Sequence, residues 1–266
     1  MRAVKVTLPR DLKSIKIHTF ADWHIGDASC KLDAIKSEIQ AIKNCKESYV
    51  ICNGDLMNNA TKASVSDCYA EAIPPMEQLQ TVCDLLEPIK DKILLLTQGN
   101  HESRTYRTDG IDLTALMAKQ LGVYDRYVRE GGVLFLRFGE YPSGRKDNKD
   151  KTRYRQVCYS IYATHGGAGG GRREGSKATT LADMASIVDT DIYLHSHTHL
   201  PMVMKQNFFR TDYNNSYVAE VEKLFVNSAA QLGYGGYGQT FEFKPSNTTT
   251  PTIYLSGTRK HFTAML

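Results

Sequence analysis

The sequence predicts an α/β fold built around a largely parallel β-sheet. Three short apolar segments have the composition of strands buried on both faces of a sheet: residues 15–20, residues 49–52 and the run from Ile93 to Gly99. A helical pattern follows each segment along the chain. This alternation is typical of parallel strands that are joined by right-handed crossovers.

The three helices are indicated by the spacing of apolar residues and by the residues at their ends. In the first helix, apolar residues recur every three or four positions, at Leu32, Ile35, Ile39 and Ile42. The second helix opens at Pro74 and Pro75, because proline suits the first turn of a helix. The third covers residues 113–121 and is closed by Gly122, a C-terminal cap.

The second half of the chain changes in character. Two strands are predicted at residues 133–138 and 156–164. We interpret residues 137–156 as a basic hairpin insertion within a single domain that spans residues 1–266. The further predicted elements are a helix at 179–188, a strand at 191–194 and antiparallel strands at 202–206, 217–226, 240–243 and 252–255.

The composition is that of a globular protein without a strong charge bias. The 266 residues carry a formal net charge of +4, which by itself does not indicate a polyanionic partner. The six cysteines show no CxxC spacing, which favours a reduced intracellular protein over a disulfide scaffold. Neither a signal peptide nor an apolar run of membrane-spanning length is recognisable. We therefore expect a cytoplasmic protein without a membrane partner, and its oligomeric state stays open.

Side chains that can bind metal ions stand at the ends of five predicted strands. They are Asp22 and His24, Asp55, Asn100 and His101, His165, and His197 with His199. The carboxyl ends of the strands are where open α/β sheets bind their ligands. Imidazole nitrogens and carboxylate oxygens suit first-row metal ions, and the absence of cysteine from this set argues against a closed structural zinc site.

Asp55 is the residue best suited to bridge two metal ions. Two divalent ions about 3.5–4 Å apart need a shared ligand, and a carboxylate can bridge them where a neutral imidazole cannot. At residues 22–24 and 197–199, a spacing of two on an extended chain would point both ligands to the same side. The set therefore predicts a centre for two divalent ions, with manganese as the first choice and iron, zinc or nickel as the alternatives.

The order of these motifs resembles that of the calcineurin-like metallophosphoesterase superfamily. Between Asp22 and His199 the sequence reads D-x-H, G-D, G-N-H-E, H-G and H-x-H, so the similarity covers most of the chain. The resemblance implies two mixed β-sheets packed as a sandwich and flanked by helices. It also implies a dinuclear centre at which a metal-bound hydroxide hydrolyses phosphate esters.

The same resemblance implies a role for each candidate residue. One metal ion would be held by Asp22, His24, Asp55 and His199. The other would be held by Asp55, Asn100, His165 and His197. The remaining member of the set, His101, would protonate the leaving oxygen or stabilise the charge that develops on phosphorus.

Details of the individual motifs bear on the substrate and on the turns. Residues 99–104 are similar to the corresponding string of Ser/Thr protein phosphatases, but the second motif reads G-D-L-M-N-N and lacks their phosphate-gripping arginine. The opening motif, residues 18–26, resembles that of the Mre11/SbcD DNA nucleases, which favours phosphodiester substrates. In the last motif, Ser196 stands where the family usually has glycine.

Arginines that closely follow the ligand turns could line the mouth of the site and bind phosphate oxygens: Arg104, Arg107, Arg172 and Arg173, of which Arg104, Arg172 and Arg173 are the substrate-binding candidates. With the basic residues of the 137–156 insertion, they would form a groove for a nucleic-acid backbone. Trp23 either shields the neighbouring ligands or stacks a base, and His195 is either packed or orients a ligand.

Other functions remain open at this point. A phosphomonoesterase or a protein phosphatase is the first alternative to a nuclease-like phosphodiesterase. A non-catalytic binding scaffold on the same fold, as the retromer subunit of the superfamily is, represents another class. The complete ligand set favours the enzyme, with a phosphate ester as its partner and nucleic acid among the candidate substrates.

Overall fold

The computed structural model describes residues 1–9, 11–62, 64, 67–139, 156–167, 173–235, 239, 242 and 244–266. The helices are α1 (Leu32–Asn44), α2 (Pro75–Leu86), α3 (Glu102–Asp109), α4 (Leu113–Gln120) and α5 (Glu174–Asp183). In the described part of the chain, no helix combines the length and the apolar character that crossing a membrane requires.

The strands form two mixed sheets of six strands each. The first sheet contains, in spatial order, β1 (Arg2–Leu8), β6 (Gly132–Phe138), β7 (Cys158–Ala163), β8 (Ile192–His195), β10 (Tyr217–Asn227) and β9 (Met202–Asp212). The second contains β12 (Phe262–Met265), β11 (Thr252–Ser256), β2 (Ser14–Phe20), β3 (Ser48–Asn53), β4 (Ile93–Thr97) and β5 (Tyr127–Val128). Strands β2 to β5 are parallel to one another, whereas β11 pairs with β2 in the antiparallel sense.

Apolar side chains on both faces of each sheet produce a four-layer arrangement. The layer between the sheets includes Ile17, Ile51, Leu134 and Ile161. Helices α1, α2 and α4 cover the outer face of the second sheet, and residues of α5 pack on the outer face of the first. The central strands β3 and β4 are covered on both faces, which explains why β4 and most of β3 are buried and apolar. The structure thus confirms the fold class of two mixed sheets flanked by helices.

Most predicted elements lie where the sequence pattern indicates. The helix expected at 179–188 begins earlier, at Glu174, and its α-helical part ends at Asp183. The first residues of the chain form β1, which pairs in parallel with β6 and which no pattern predicted. Of the strand expected at 240–243, residues 240, 241 and 243 lie outside the described residues.

The expected basic insertion joins β6 and β7. These strands pair antiparallel, with Gly132 opposite Ala163 and Arg137 opposite Cys158, as the two arms of a hairpin do. Residues 140–155 lie outside the described residues. A single domain over residues 1–266 stays a prediction.

Candidate metal centre

The candidate ligands follow the carboxyl ends of β2, β3, β4, β7 and β8. Most of them occupy left-handed backbone conformations, with φ of 50° at Asp22, 49° at His24, 52° at Asp55, 66° at His197 and 54° at His199. This region costs a residue with a Cβ roughly 1–2 kcal/mol, and such strain persists where surrounding contacts enforce it, often at functional sites. The extended geometry expected for residues 22–24 and 197–199 is therefore wrong, because tight left-handed turns bring both members of each pair to the site.

The first group of possible ligands is formed by Asp22, His24 and His199. The Nε2 atom of His199 lies 3.3 Å from Asp22 Oδ1 and 3.3 Å from His24 Nε2. The Nε2 atom of His24 lies 3.9 Å from Asp22 Oδ1. These atoms converge on one small volume, as the ligands of a single ion do.

The second group is formed by Asp55, His165 and His197. The Nε2 atom of His165 lies 3.0 Å from Asp55 Oδ2 and 3.1 Å from the side-chain oxygen of Asn100. The Nδ1 atom of His165 lies 2.7 Å from the backbone oxygen of Asn53, and a carbonyl can only accept, so Nδ1 carries the hydrogen. When the ring is neutral, Nε2 therefore presents its lone pair to the cluster.

A third group links the first two and contains His24, Asp55 and His101. It shares His24 with the first group and Asp55 with the second. His165 also reaches both carboxylates, because its Nε2 lies 3.9 Å from Asp22 Oδ1. The structure therefore brings the seven predicted metal ligands and His101 together, with Asp55 between the two sides.

Each carboxylate uses one oxygen to fix the backbone of another motif. Asp22 Oδ2 accepts a hydrogen bond of 3.1 Å from the backbone N–H of His197, and Asp55 Oδ1 accepts one of 2.8 Å from that of His101. Asp22 Oδ1 and His24 Nδ1 are buried without a hydrogen-bond partner in the described structure. A buried carboxylate oxygen rarely stays uncompensated, and a coordinated cation would compensate it. The residues present thus fit divalent metal ions.

Burial and charge oppose each other within the cluster. Burial lowers the pKa of His165, but Asp55 and then Asp22 outweigh it and raise that pKa to about 10. Burial raises the pKa of Asp55, yet the imidazoles of His165 and His101 hold it well below its usual value. Burial, and after it the charge of His165, lowers the pKa of His197 to about 4. Without a metal ion, the two carboxylates therefore favour the protonated form of His165, whereas burial favours the neutral form of His197.

A buried asparagine at the end of β3 ties the ligand loops together. The side-chain nitrogen of Asn53 donates to the backbone oxygen of Thr164 at 2.9 Å and to Ser196 Oγ at 2.7 Å. Its side-chain oxygen accepts a hydrogen bond of 2.8 Å from Thr97 Oγ1. Ser196, which replaces the usual glycine, thus provides the acceptor that joins the last motif to the second.

His195 supports the last motif from the first sheet. Its Nδ1 atom lies 2.9 Å from the side-chain oxygen of Asn227, and the amide nitrogen of Asn227 donates to Thr198 Oγ1 at 2.9 Å. This chain of bonds reaches the residue between the two ligands His197 and His199. Of the two interpretations of His195, the structure supports the orienting one.

Glu102 connects the second and third motifs through backbone amides. Its Oε2 accepts hydrogen bonds of 3.0 Å from the N–H groups of Asp55 and Gly99, and its Oε1 accepts one of 3.1 Å from Met57. The side chain is buried. Burial and the charge of Asp55 raise its pKa to about 7. The glutamate of the G-N-H-E sequence therefore positions Asp55 through its backbone.

Arg104 contacts His101 and a backbone turn. Its Nη2 lies 3.0 Å from His101 Nε2, and its Nη1 donates to the backbone oxygen of Asn58 at 3.1 Å. His101 Nδ1 lies 2.6 Å from the same oxygen and therefore carries the hydrogen. The structure thus places Arg104, predicted as a substrate ligand, against the imidazole of His101.

The other residues considered for the substrate lie in different surroundings. Trp23 is fully buried and packs on Phe20 with ring centroids 4.9 Å apart, which excludes stacking on a base. Arg173 is exposed directly before α5, and Arg172 lies outside the described residues. A cavity of about 770 Å³ beside the ligand cluster is lined by Arg107, which the sequence had placed near the mouth of the site, and by Arg129, which it had not.

Solved structures with similarity to this chain include two phosphoesterases and a Vps29 protein. A metallophosphoesterase from Sphaerobacter thermophilus is 12% identical, with 95% of this chain and 88% of that chain covered and a TM-score of 0.38. A predicted phosphoesterase from Streptococcus pneumoniae is 14% identical, with 96% and 98% covered and a TM-score of 0.34. Vps29 of Entamoeba histolytica, complexed with zinc, is 10% identical, with 94% and 97% covered and a TM-score of 0.40.

A comparison with family models gives the assignment. No curated protein sequence matches the chain significantly. The model of the calcineurin-like phosphoesterases matches residues 15–201, a range that contains all the candidate ligands and His101. This match does not separate the Mre11-type nucleases from other branches. With most of its length matched, the chain belongs to the calcineurin-like phosphoesterase family.

Proposed function

We propose that the protein is a phosphoesterase that depends on two divalent metal ions. The observation that carries this proposal is the convergence of two ligand groups on Asp55, with left-handed backbone at five of the ligands. Strain at so many neighbouring residues is difficult to explain by packing alone, since ordinary loops avoid it. The complete set of ligands favours catalysis over a role as a binding scaffold.

The two groups correspond to two ion sites. Asp22, His24 and His199 would hold one ion, while Asn100, His165 and His197 would hold the other. Asp55 would be shared, because it is grouped both with His24 and with His165 and His197. The mixed nitrogen and oxygen donors suit manganese, which we propose first, and also iron, zinc or nickel.

The chain's own residues orient the substrate and the proton transfers. When bound, the ions supply Lewis acidity, which polarises the phosphoryl oxygens and makes water a nucleophile near neutral pH. Asp22 and Asp55 fix the backbones of the other motifs, so that all the ligands are preorganised. His101 is held by the backbone oxygen of Asn58 at Nδ1, and its Nε2 lies between Arg104 Nη2, at 3.0 Å, and Asp55 Oδ2, at 3.8 Å. We assign it to the leaving oxygen or to the charge that develops on phosphorus.

Replacing His101 by alanine should slow hydrolysis about a hundredfold or more while both ions stay bound, because general acid catalysis is lost but no ligand is. Hydrolysis of a nitrophenyl phosphodiester and the metal content after dialysis measure the two effects. The exposed His261, changed to alanine, is the matched control. Full activity of the His101 variant would contradict the assigned role, and loss of metal would make His101 a ligand instead.

Metal binding should release about one proton per protein at pH 7.5. At that pH His165 is protonated, because its pKa is raised to about 10, whereas a metal ligand must be neutral. The apparent metal affinity should therefore rise with pH, about tenfold per unit, between roughly pH 6 and 9. Calorimetric titrations in two buffers of different ionisation enthalpy count the protons. A His165→Asn variant should release almost none; an unchanged count there would exclude His165 as the source.

We further propose phosphodiesters, including nucleic acid, as the substrate class. A phosphate monoester brings two negative charges and needs more cationic groups than a diester, which brings one. The second motif lacks the arginine that would meet this charge, and the amide of Asn59 in its place is bound to the backbone oxygen of His101 at 2.8 Å. This proposed substrate class is tested by measuring hydrolysis of three substrates with each metal ion: a bis-aryl phosphodiester, a monoaryl phosphate and single-stranded DNA. A preference for the monoester would overturn it and favour the phosphatase alternative.

We also propose that the protein works in a reducing compartment such as the cytoplasm. The six cysteines are all free in the structure, and Cys158 is exposed. Disulfides are rare in the cytosol because thiols are kept reduced there. This placement would give soluble phosphate esters direct access to the site.

A further inference from the structure

A polar cavity of about 770 Å³ adjoins the candidate metal centre. One side is formed by three proposed ligands of one ion, namely Asn100, His165 and His197. Another part is formed by Tyr106 and Arg107 of α3 together with Arg129 after β5. Apart from Tyr106, the lining consists of polar, charged and glycine residues, two of which are arginines. Its chemistry suits a charged group.

Arg129 is held in place before any ligand binds. Its Nε donates to Asp112 Oδ2 at 3.0 Å, and the carbon of its guanidinium lies 4.1 Å from the centroid of the Tyr106 ring. Asp112 is fixed in turn by the hydroxyl of Tyr127 at 2.8 Å and by the backbone N–H of Ala115 at 2.9 Å. An arginine already oriented by a carboxylate and a ring loses little entropy when its remaining N–H groups bind an anion.

Arg107 provides a second cation on the same cavity. It lies in the last turn of α3 and is exposed. Its side chain makes no hydrogen bond or ion pair with any other residue that the structure describes. Asp112 pairs with Arg129, and Glu130, the acidic residue of the lining, is exposed, so Arg107 is the cation of the lining that has no carboxylate partner among the described residues. Two arginines therefore face a cavity that continues from the proposed reaction centre.

We propose that this cavity binds a second anionic group of the substrate, a phosphate or a carboxylate, while the scissile phosphate lies at the metal centre. The inference rests on the proposed phosphoesterase function and names the class of ester that the site selects. In a nucleic acid or an oligonucleotide, the second group would be a neighbouring phosphate. In a small molecule, it would be a phosphate or carboxylate elsewhere on the same ester.

The kinetic test uses a pair of substrates that differ in one phosphate. They are the 4-nitrophenyl ester of thymidine 5′-phosphate and the same ester with an added 3′-phosphate. The wild-type protein should show a KM roughly tenfold lower for the second, as expected for a charge-assisted bond to arginine. Arg107→Gln should remove this preference, so that the ratio of the two KM values approaches one. A matched pair with a 3′-carboxymethyl group shows whether a carboxylate serves equally well.

The control is the same substitution at an arginine that does not line the cavity. Arg259 is exposed in the turn between β11 and β12. Arg259→Gln changes the net charge equally and should leave the preference intact. If it removes the preference as Arg107→Gln does, the effect comes from overall charge and the proposed subsite is wrong. Arg129→Lys, which keeps the charge but loses the planar fork, should weaken the preference severalfold.

A second measurement does not depend on catalysis. Phenylglyoxal modifies accessible arginines, and mass spectrometry locates the products. In the metal-free protein, thymidine 3′,5′-bisphosphate should protect Arg107 from modification and should not protect Arg259. Protection of Arg107 without hydrolysis of any ester would support the anion subsite and contradict the proposed phosphoesterase activity. If the protein hydrolyses esters but shows neither protection of Arg107 nor a preference for the 3′-phosphate, the subsite is refuted and the phosphoesterase activity is supported.

Discussion

Replacing Asp55 by asparagine is expected to abolish phosphoester hydrolysis with every divalent metal ion. Asp55 Oδ1 accepts the backbone N–H of His101 at 2.8 Å, so an asparagine would turn its oxygen to this donor. Its NH₂ group would then point at the ligand cluster, where it repels a cation. Because the ligand shared by both ions is lost, the transition state loses several kcal/mol of electrostatic stabilisation. We therefore expect kcat/KM to fall by about a thousandfold or more.

The experiment measures metal binding and hydrolysis separately. The metal content of the Asp55→Asn protein is measured after dialysis, and hydrolysis of a nitrophenyl phosphodiester is followed with manganese, iron, zinc and nickel. Asp84→Asn, the same change at an exposed position of α2, should retain full activity. If Asp55→Asn stays active with any metal, Asp55 is not the shared ligand and the dinuclear proposal is wrong.

Removing the carboxylate of Glu102 should produce the largest loss of stability at the site. In Glu102→Ala, the backbone N–H groups of Asp55, Met57 and Gly99 lose their buried acceptor. A buried donor without a partner costs about 1–3 kcal/mol, and we expect about 4 kcal/mol in total, since neighbouring contributions do not add fully. Metal affinity should fall as well, because the Asp55 turn is no longer held against the turn at Gly99.

Urea unfolding at pH 8 measures this effect, since Glu102 is then a carboxylate above its raised pKa of about 7. The milder Glu102→Gln keeps one oxygen but presents an NH₂ group to a backbone donor, so its cost should be about 1–3 kcal/mol. Glu77→Ala, at an exposed position of α2, should change the free energy of unfolding by at most about 0.5 kcal/mol. A Glu102→Ala protein as stable as this control would show that the three bonds do not position the turns.

The two residues act on the same turn in different ways. Asp55 faces the ligand cluster with its side chain, and Glu102 holds its backbone from behind. Gly99 must be glycine for the same reason, because a Cβ there would lie 2.0 Å from Asp55 Oδ1. The second and third motifs are therefore one physical unit, although more than forty residues separate them along the chain.

Several interpretations could be made from the sequence because they depend on local patterns. Apolar spacing located α1 and α2, and apolar runs located β2, β3 and β4. Long apolar runs could not reveal β1, because its short segment alternates apolar and polar residues. It forms a strand through its parallel pairing with β6, which is distant in sequence. Nor could local patterns separate one parallel sheet from two mixed sheets, because β11 joins β2 through contacts distant in sequence.

At the site, the sequence alone determined which residues are the candidate ligands. Metal chemistry restricts ligands to a few side-chain types, and these types stood at the ends of successive strands in the order of a known family. Only the tertiary structure decided how they meet: through left-handed turns at Asp22 and His24, and with Arg104 placed against His101. It also decided that Arg107 and Arg129 share a cavity. The physical reason is that side-chain type is a local property, whereas hydrogen-bond partners and cavities arise from packing between segments far apart in the chain.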